Sequence, residues 1–357
     1  MTLILCNADI ESVLTMPECI DVLEDAYWEL AHGRGVSRTR SDSFSETKRS
    51  DALYSLKSMD GIVPKLGVGA VRINSDIVTW PKQGDNERRV KVPSAPNARY
   101  VGLVLLFSTE TGEPLAIFPD GVMQRMRVGA ANALGVKYLA RPKARQIGML
   151  GSGWQAGAQA MGVCAVRNVE IIRCFSPNAQ NRETFAREWT AKLGVRVTPV
   201  ETAEDAVRDA DIVMCATNTI DNVFFARWIK AGLHISSIKR PEVEADAIRR
   251  SDVVVLHSND GSPTHLSTKG VSIPENAENK GWMLAGEIAF DKLSTLPQVI
   301  AGLAPGRARE DQVTCFLNNI GLGYQFAACG ALAYKKAREQ GLGRELPTDW
   351  FTEDVHP

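Results

Sequence analysis

The 357-residue sequence lacks most of the features that would place it in a specialised class. Its net charge is −1, which gives no electrostatic case for a nucleic-acid partner or an anionic membrane. No apolar run approaches the roughly 20 residues of a membrane span, and Met1–Asp9 does not have the form of a signal peptide, so a cytoplasmic protein without a membrane partner is expected. The seven cysteines (Cys6, Cys19, Cys164, Cys174, Cys215, Cys315 and Cys329) include no Cys-x-x-Cys pair. Several lie in apolar stretches, where a thiol acts as a small hydrophobe. Neither a disulfide framework nor a metal site is expected. There is no internal repeat. A chain that is 44% hydrophobic and 23% charged has an ordinary globular composition, long enough for two domains.

What is present centres on Gln146–Gln155, Gln-Ile-Gly-Met-Leu-Gly-Ser-Gly-Trp-Gln. A short apolar strand ends at Leu150, breaks on Gly151-Ser-Gly153, and gives way to a small-residue helix opening at Trp154 and Gln155. Gly151-x-Gly153-x-x-Ala156 is the strand–turn–helix of a dinucleotide fold. The first glycine permits a tight turn and the second lets backbone approach a pyrophosphate. The helix start offers free N–H groups and the positive end of its dipole to the phosphates.

Strands are expected at Val169–Phe175, Val195–Val197, Asp211–Ala216, Leu233–Ile238 and Asp252–His257. Helices are expected between them at Arg182–Leu193, Ala203–Asp209, Phe225–Lys230 and Val243–Arg250. That alternation implies a doubly wound parallel sheet, an α/β Rossmann-type domain. The second strand ends in Cys174-Phe-Ser176-Pro-Asn178, without the acid that commonly holds the ribose hydroxyls of NAD. Ser176, Asn178 and Arg182 could hold a 2′-phosphate, which favours NADP, while nearby Glu183 leaves NAD open.

Around this domain, Pro17–Leu30 reads as a helix, Tyr54–Met59 and Leu66–Ile73 as strands, and Val101–Phe107 with Leu115–Phe118 as a hairpin. Residues 76–100 read as a long irregular loop, a candidate lid. Gln124–Leu139 is a small-residue helix with Arg127 near its start, among apolar neighbours. After residue 257 the chain is polar and irregular, and His265 there reads as solvated. Glu287 falls in the next stretch. Val313–Phe316 is a short strand and Leu322–Gln340 a long helix, by which the chain returns to its first domain.

Several of these pieces together resemble the ornithine cyclodeaminase/mu-crystallin family. They are Val101–Ser108 with Thr111-Gly-Glu-Pro-Leu-Ala116, Met123-Gln-Arg-Met-Arg127-Val-Gly-Ala-Ala131, Leu150–Ala156, Ala210–Thr217 and Pro305-Gly-Arg307. The resemblance implies a homodimer and a split substrate-binding and dimerisation domain (1–125 with 315–357) around a dinucleotide domain (126–314). Thr217 joins the implied cofactor set.

The resemblance also implies hydride transfer between a nicotinamide and the α-carbon of an α-amino or α-imino acid. Arg127 matches the arginine that clamps the substrate carboxylate, and Arg38 or Arg40 approximates a second, N-terminal arginine. Two family residues are absent. Gly69 stands where a lysine is expected, and Ser236-Ser-Ile-Lys239-Arg240-Pro-Glu242 replaces the segment with the catalytic aspartate. Arg72 is then a candidate for the lysine's role, and Lys239 or Glu242 for proton transfer. These departures favour an NAD(P)-dependent imine reductase or amino-acid dehydrogenase. The alternatives are an ornithine- or lysine-type cyclodeaminase with catalytic NAD and a non-catalytic, crystallin-like binding protein.

Overall fold

The structure, a computed structural model, describes all residues except 84, 85, 88, 89, 220, 240, 241, 261, 262, 272–287 and 355–357, and not the side chains of 82, 83, 86 and 87. Arg240 and Glu287 therefore lie outside the described residues.

The chain opens with β1 (Thr2–Ile4), α1 (Asn7–Val13) and α2 (Met16–Ala31). Pro17 sits in the first turn of α2, where its missing N–H costs nothing, and Cys19, Ile20, Leu23, Ala26 and Tyr27 line its buried face. Next come β2 (Val36–Ser37) and β3 (Ser41–Glu46), then a long hairpin of β4 (Ala52–Val63) and β5 (Val68–Thr79). The segment expected to be an irregular loop is largely extended. β5 runs on to Thr79, β6 (Lys82–Gln83) and β7 (Asn86–Glu87) pair with each other, and β8 (Val90–Val92) pairs back onto β5. The hairpin β9 (Val101–Ser108) and β10 (Pro114–Pro119) leads into α3 (Gly121–Leu139).

The alternating segment follows as β11 (Gln146–Leu150), α4 (Trp154–Val166), β12 (Ile171–Phe175), α5 (Ala179–Leu193), β13 (Arg196–Pro199), α6 (Ala203–Val207), β14 (Ile212–Cys215), β15 (His234–Ser237), α7 (Ala245–Arg249) and β16 (Val253–Leu256). The helix expected over 225–230 is only one 3-10 turn, Ala226–Trp228, flanked by extended Phe225 and Ile229. Trp228 packs edge-on against both Phe224 and Phe225, so aromatic packing rather than helical periodicity sets this stretch. The chain closes with β17 (Thr264–Ser267), β18 (Ser294–Thr295), α8 (Leu296–Ile300), β19 (Thr314–Leu317), α9 (Gly323–Gln340) and β20 (Arg344–Leu346).

Two compact units result. One comprises Met1–Arg127, Asp260–Pro274 and Gly321–Pro357, the other Val128–Asn259 and Glu275–Ile320. These limits differ from divisions at 125/126 and 314/315 in two ways. The expected loop around His265 contains β17, which pairs with β3 in the first unit, and β19 lies wholly inside the parallel sheet of the second.

The first unit is built on a mostly antiparallel sheet in the order β17-β3-β4-β5-β9-β10-β1-β20, with β2 and β8 as side pairings. α9 packs on one face of it, over β4, β5 and β9. Tyr27, Leu106, Phe118, Tyr324 and Phe326 are fully buried in this unit.

The second unit's sheet runs β13-β12-β11-β14-β15-β19-β16-β18, and every recorded pairing is parallel. β14, β15 and β19 are buried along their whole length, which explains the unbroken apolar run of β14, while β15 buries His234, Ser236 and Ser237. Cys174, Cys215 and Cys315 are buried within it, and all seven cysteines are free thiols.

Candidate functional site

In the second unit the chain reverses its direction of winding between β11 and β14, the switch point at which doubly wound sheets bind ligands. The Gly151–Gly153 turn sits there. Gly151 adopts φ +120°, and a methyl group on it would overlap Ala216 O at the end of β14, so only glycine fits. Its N–H donates to Phe175 O at 2.8 Å, tying the turn to β12. Gly153 caps α4 in extended backbone with open space where a side chain would stand, leaving backbone free to meet a ligand. Trp154 is 58% exposed at the helix start, and the neighbouring Gln155 has a buried Oε1 with no partner. These features fit a dinucleotide pyrophosphate.

The residues expected near the ribose are already engaged with their own loop. Asn178 Oδ1 accepts from Asn181 N at 3.0 Å and caps α5. Arg182 is buried, donating from Nη1 to Ser176 O at 3.2 Å and from Nη2 to Glu201 Oε2 at 2.8 Å. Thr217 adjoins the glycine turn, and both its N–H and its hydroxyl donate to Glu242 Oε1, at 2.6 and 2.8 Å.

Glu242 is not poised for proton transfer. Besides Thr217, it accepts from the N–H groups of Ile238 and Lys239 on Oε2, at 3.0 and 3.1 Å, and it is fully buried. Burial pushes its carboxyl up to about 7, against these donors and the Lys239 charge. It is a brace joining the loops after β14 and β15. Lys239 likewise donates its ammonium to the carbonyls of Asn218 and Thr219, at 3.1 and 2.8 Å. The two side chains offered for the proton role are thus committed to main chain.

The first unit holds a different kind of polar region. On its α9-covered face the strand registers align His265, Asp42, Lys57, Asn74 and Gly102 directly opposite one another across β17, β3, β4, β5 and β9. Gly102 lacks a side chain where one would overlap Asp120 Oδ1 and Asn74 Nδ2, so Asp120 completes the row, accepting from Asn74 Nδ2 at 3.2 Å.

Asp42 is fully buried and receives both arms of the Arg40 fork at 2.8 Å, with Lys57 Nζ and His265 Nε2 each at 3.5 Å. Burial alone would raise its pKa, but His265, Arg40 and Lys57 together hold it well below the usual carboxylate range. Of the two N-terminal arginines, Arg40 therefore joins this row, whereas Arg38 pairs with Asp60 and is largely exposed. His265 lies in an exposed strand rather than a loop, with its ring beside a buried carboxylate.

One step along β5, Arg72 is buried and donates from Nε to Asp120 at 2.7 Å and from Nη2 to Gln124 Oε1 at 3.0 Å. It is a cation already matched to an acid. Arg127, in the second turn of α3, is matched to none. It forms no ion pair with any described residue, its Nη1 donates to Gln325 Oε1 at 2.8 Å, and its buried Nε has no partner. Gln325 in turn donates to Arg127 O at 3.2 Å, so the first turn of α9 orients the guanidinium. Arg72 and Arg127 lie 5.5 and 5.0 Å from the centroid of the Phe326 ring. Burial, then the neighbouring Arg72 charge, brings the pKa of Arg127 down to about 10.

Lys57, Asp42, Asn74 and Asp120 were not singled out by sequence. Position 69 also reads differently in three dimensions. Gly69 pairs with Ile62 on the opposite face from Arg72 and Asn74, so a lysine there would point away from the polar row. Among the described residues no cluster of His, Cys, Asp and Glu is placed to hold a metal ion, and no helix is long and apolar enough to cross a membrane.

Known proteins share this architecture. The chain is 29% identical to the Delta(1)-pyrroline-2-carboxylate reductase of Thermococcus litoralis, whose structure holds NADH and L-proline. The match has a TM-score of 0.78 and covers 97% of this chain and 100% of that one. It is 26% identical over 340 residues to the Delta(1)-pyrroline-2-carboxylate reductase of Bacillus cereus, covering 94% of this chain and 96% of the relative. It is 23% identical over 354 residues to the iminosuccinate reductase of Paracoccus denitrificans, covering 96% and 99%. Residues 1–341 match the ornithine cyclodeaminase/mu-crystallin family, and the chain belongs to that family.

Proposed function

We propose that this protein is an NAD(P)-dependent reductase of α-imino acids or dehydrogenase of the corresponding α-amino acids. The observation that carries the proposal is Arg127: a buried guanidinium with an unpartnered Nε and, among the described residues, no acid in ion-pair contact. Such a charge is costly unless an anion arrives, and the planar fork suits a carboxylate.

The second unit's Gly151–Gly153 turn and α4 N-terminus suit the pyrophosphate, with Gln155, Thr217 and the Ser176–Arg182 segment about the rest of the dinucleotide. When bound, the nicotinamide supplies or accepts the hydride. The first unit fixes the α-carbon by its carboxylate. Arg127 makes that contact, Gln325 orients it, and Asp120 with Gln124 keeps Arg72 in place beside the Phe326 ring.

A homodimer belongs to the same reading. The outward face of the first sheet exposes Leu56, Ile62, Val101 and Leu103, an apolar surface of the kind that marks an interface. A cytoplasmic location accords with seven free thiols.

The test is to offer cyclic α-imino acids, and 2-oxo acids with ammonium, together with NADH or NADPH. Oxidation of the reduced cofactor with stoichiometric amino acid is the expected result. Ammonia release from ornithine or lysine without net cofactor change would establish a cyclodeaminase instead. Cofactor binding with no turnover of either kind would establish a binding protein.

A further inference from the structure

We infer that Lys57 donates the proton to the substrate nitrogen, with Asp42 and Asn74 as positioning residues. The inference rests on the imine-reductase reading and adds to it the group that completes the reaction. Hydride addition at the α-carbon leaves the nitrogen needing a proton, and Lys239 and Glu242 are both tied to main chain. Within the first unit, where Arg127 would hold the carboxylate, the polar row offers an alternative.

Lys57 is 5% exposed, on the same sheet face as Arg72 and Asn74. Asp42 stands opposite it on one side and Asn74 on the other, so its ammonium is held from β3 while its stem is flanked by β5. Asn74 is fixed in turn by Asp120, the same carboxylate that holds Arg72. The row therefore links Lys57 to the arginine pair through two residues, Asn74 and Asp120. The charged groups facing Lys57 are Asp42 on β3 with Arg40 just before that strand, His265 on β17, and Arg72 and Asp76 on β5. An ammonium has three donors and can give up a proton, which a guanidinium does not.

In the reductive direction, an N–H bond of the Lys57 ammonium breaks and a new N–H bond forms on the imine nitrogen. The α-carbon of the resulting iminium takes hydride from the reduced nicotinamide, and the π pair moves onto nitrogen. The products are the amino acid, the oxidised dinucleotide and a neutral lysine, which regains its proton from solvent. Amino-acid oxidation reverses each transfer.

Two variants and two arms test this. In turnover, Lys57→Ala and Lys57→Arg should each lower kcat by about 100-fold or more, with KM and dinucleotide affinity changed less than about threefold. Added ethylamine should partly restore Lys57→Ala. Lys57→Arg keeps a cation against Asp42 and so preserves the fold if the alanine variant does not. In binding, pyridine-2-carboxylate presents a carboxylate beside a ring nitrogen, and benzoate presents the carboxylate alone. Lys57→Ala should weaken the first by roughly tenfold while benzoate changes less than about threefold.

The binding arm does not depend on turnover, so failure of the imine-reductase reading would show as an inactive wild-type protein that still distinguishes the two acids through Lys57. Full activity in Lys57→Arg would reduce Lys57 to a structural or electrostatic cation and overturn the inference. So would equal loss of both acids, or loss of neither, in Lys57→Ala.

Discussion

The two units differ in how they hold a buried charge, Glu242 in the second and Arg127 in the first. In the loops after β14 and β15 the buried carboxylate of Glu242 is fully answered by described donors. Glu242 accepts from four donors, and Asn132 donates to Ser236 Oγ at 2.8 Å while accepting from Asn318 Nδ2 at 2.6 Å. In the first unit, Arg127 is buried with its Nε unanswered and without an acid. A satisfied network fixes loops, whereas an unanswered buried charge fits a site waiting for its ligand. The difference separates scaffold from chemistry more sharply than residue type does, since glutamate is the more familiar catalytic side chain.

The comparison is tested most severely at Arg127. Arg127→Met should reduce kcat/KM by at least ~3 kcal/mol of transition-state stabilisation, while dinucleotide affinity stays nearly intact. Arg127→Lys, keeping charge without the fork, should lose less. Because no acid is left stranded, the thermal midpoint of Arg127→Met should hold or rise. Loss of folding would make Arg127 a structural tie, and unchanged turnover would move the carboxylate site to another cation.

Glu242 should behave in the reverse manner. Glu242→Gln keeps the shape but puts an NH2 in place of one oxygen, where either two N–H groups or an N–H and a hydroxyl need an acceptor, so stability should fall by about 1–3 kcal/mol in denaturant unfolding. Turnover per folded molecule should change little. A large fall in kcat with unchanged stability would return Glu242 to the catalytic group.

The dinucleotide unit was legible because its signals are local. Gly151-x-Gly153 demands a positive-φ turn, and buried parallel strands leave unbroken apolar runs such as Ile212–Cys215. The first unit was less legible because alternation gives the parity of a strand, not which side faces in. In β4 and β5 the inward face mixes Met59, Val63, Val68, Ala70 and Val78 with buried Ser55, Lys57, Arg72, Asn74 and Asp76, while Leu56 and Ile62 face outward at 41% exposure each. A reading by apolar content alone does not find the polar half of that face and hides Lys57. Asp42 and His265 escaped for another reason: their pairing joins strands more than 200 residues apart in sequence.

The second unit also contains a buried histidine whose neutrality can be read from pH. His234 Nδ1 lies 2.9 Å from Thr314 Oγ1, and burial, then the charges of Arg307 and Arg167, lower its pKa from 6.5 to about 3. As pH falls below 6.5 the unfolded chain takes up a proton that the native state refuses, so stability should drop by about 1.4 kcal/mol per pH unit until about pH 3. Glu242 has the opposite sign. Its raised pKa gives stability that is complete below pH 4.5 and lost as pH rises through about 7. In the wild type the two slopes oppose each other between these limits. Unfolding measured in Glu242→Gln should expose the His234 slope alone, and adding His234→Asn should flatten it. A slope that survives both substitutions would mean that other groups set it.

The smallest effect expected is at the dinucleotide's ribose. From Phe175 to Asn178 there is no acid to hold a pair of hydroxyls, and Arg182 stands behind the turn with one arm on Ser176 O and the other on Glu201. The Glu201 side chain is 86% exposed, so its grip on Arg182 is weak and a 2′-phosphate could take its place. NADPH should then bind more tightly than NADH by about 1 kcal/mol, roughly fivefold, as read by fluorescence titration. Arg182→Ala should shrink that ratio, but it also frees Ser176 O and so could disturb the turn for both cofactors. Glu201→Gln supplies the control in the other direction. It leaves Arg182 on Ser176 O while releasing its second arm, and should widen the ratio without weakening NADH. Equal affinities in the wild type, or a ratio that neither substitution moves, would mean that the ribose is recognised without Arg182 and that the arginine serves only to pin the loop after β12.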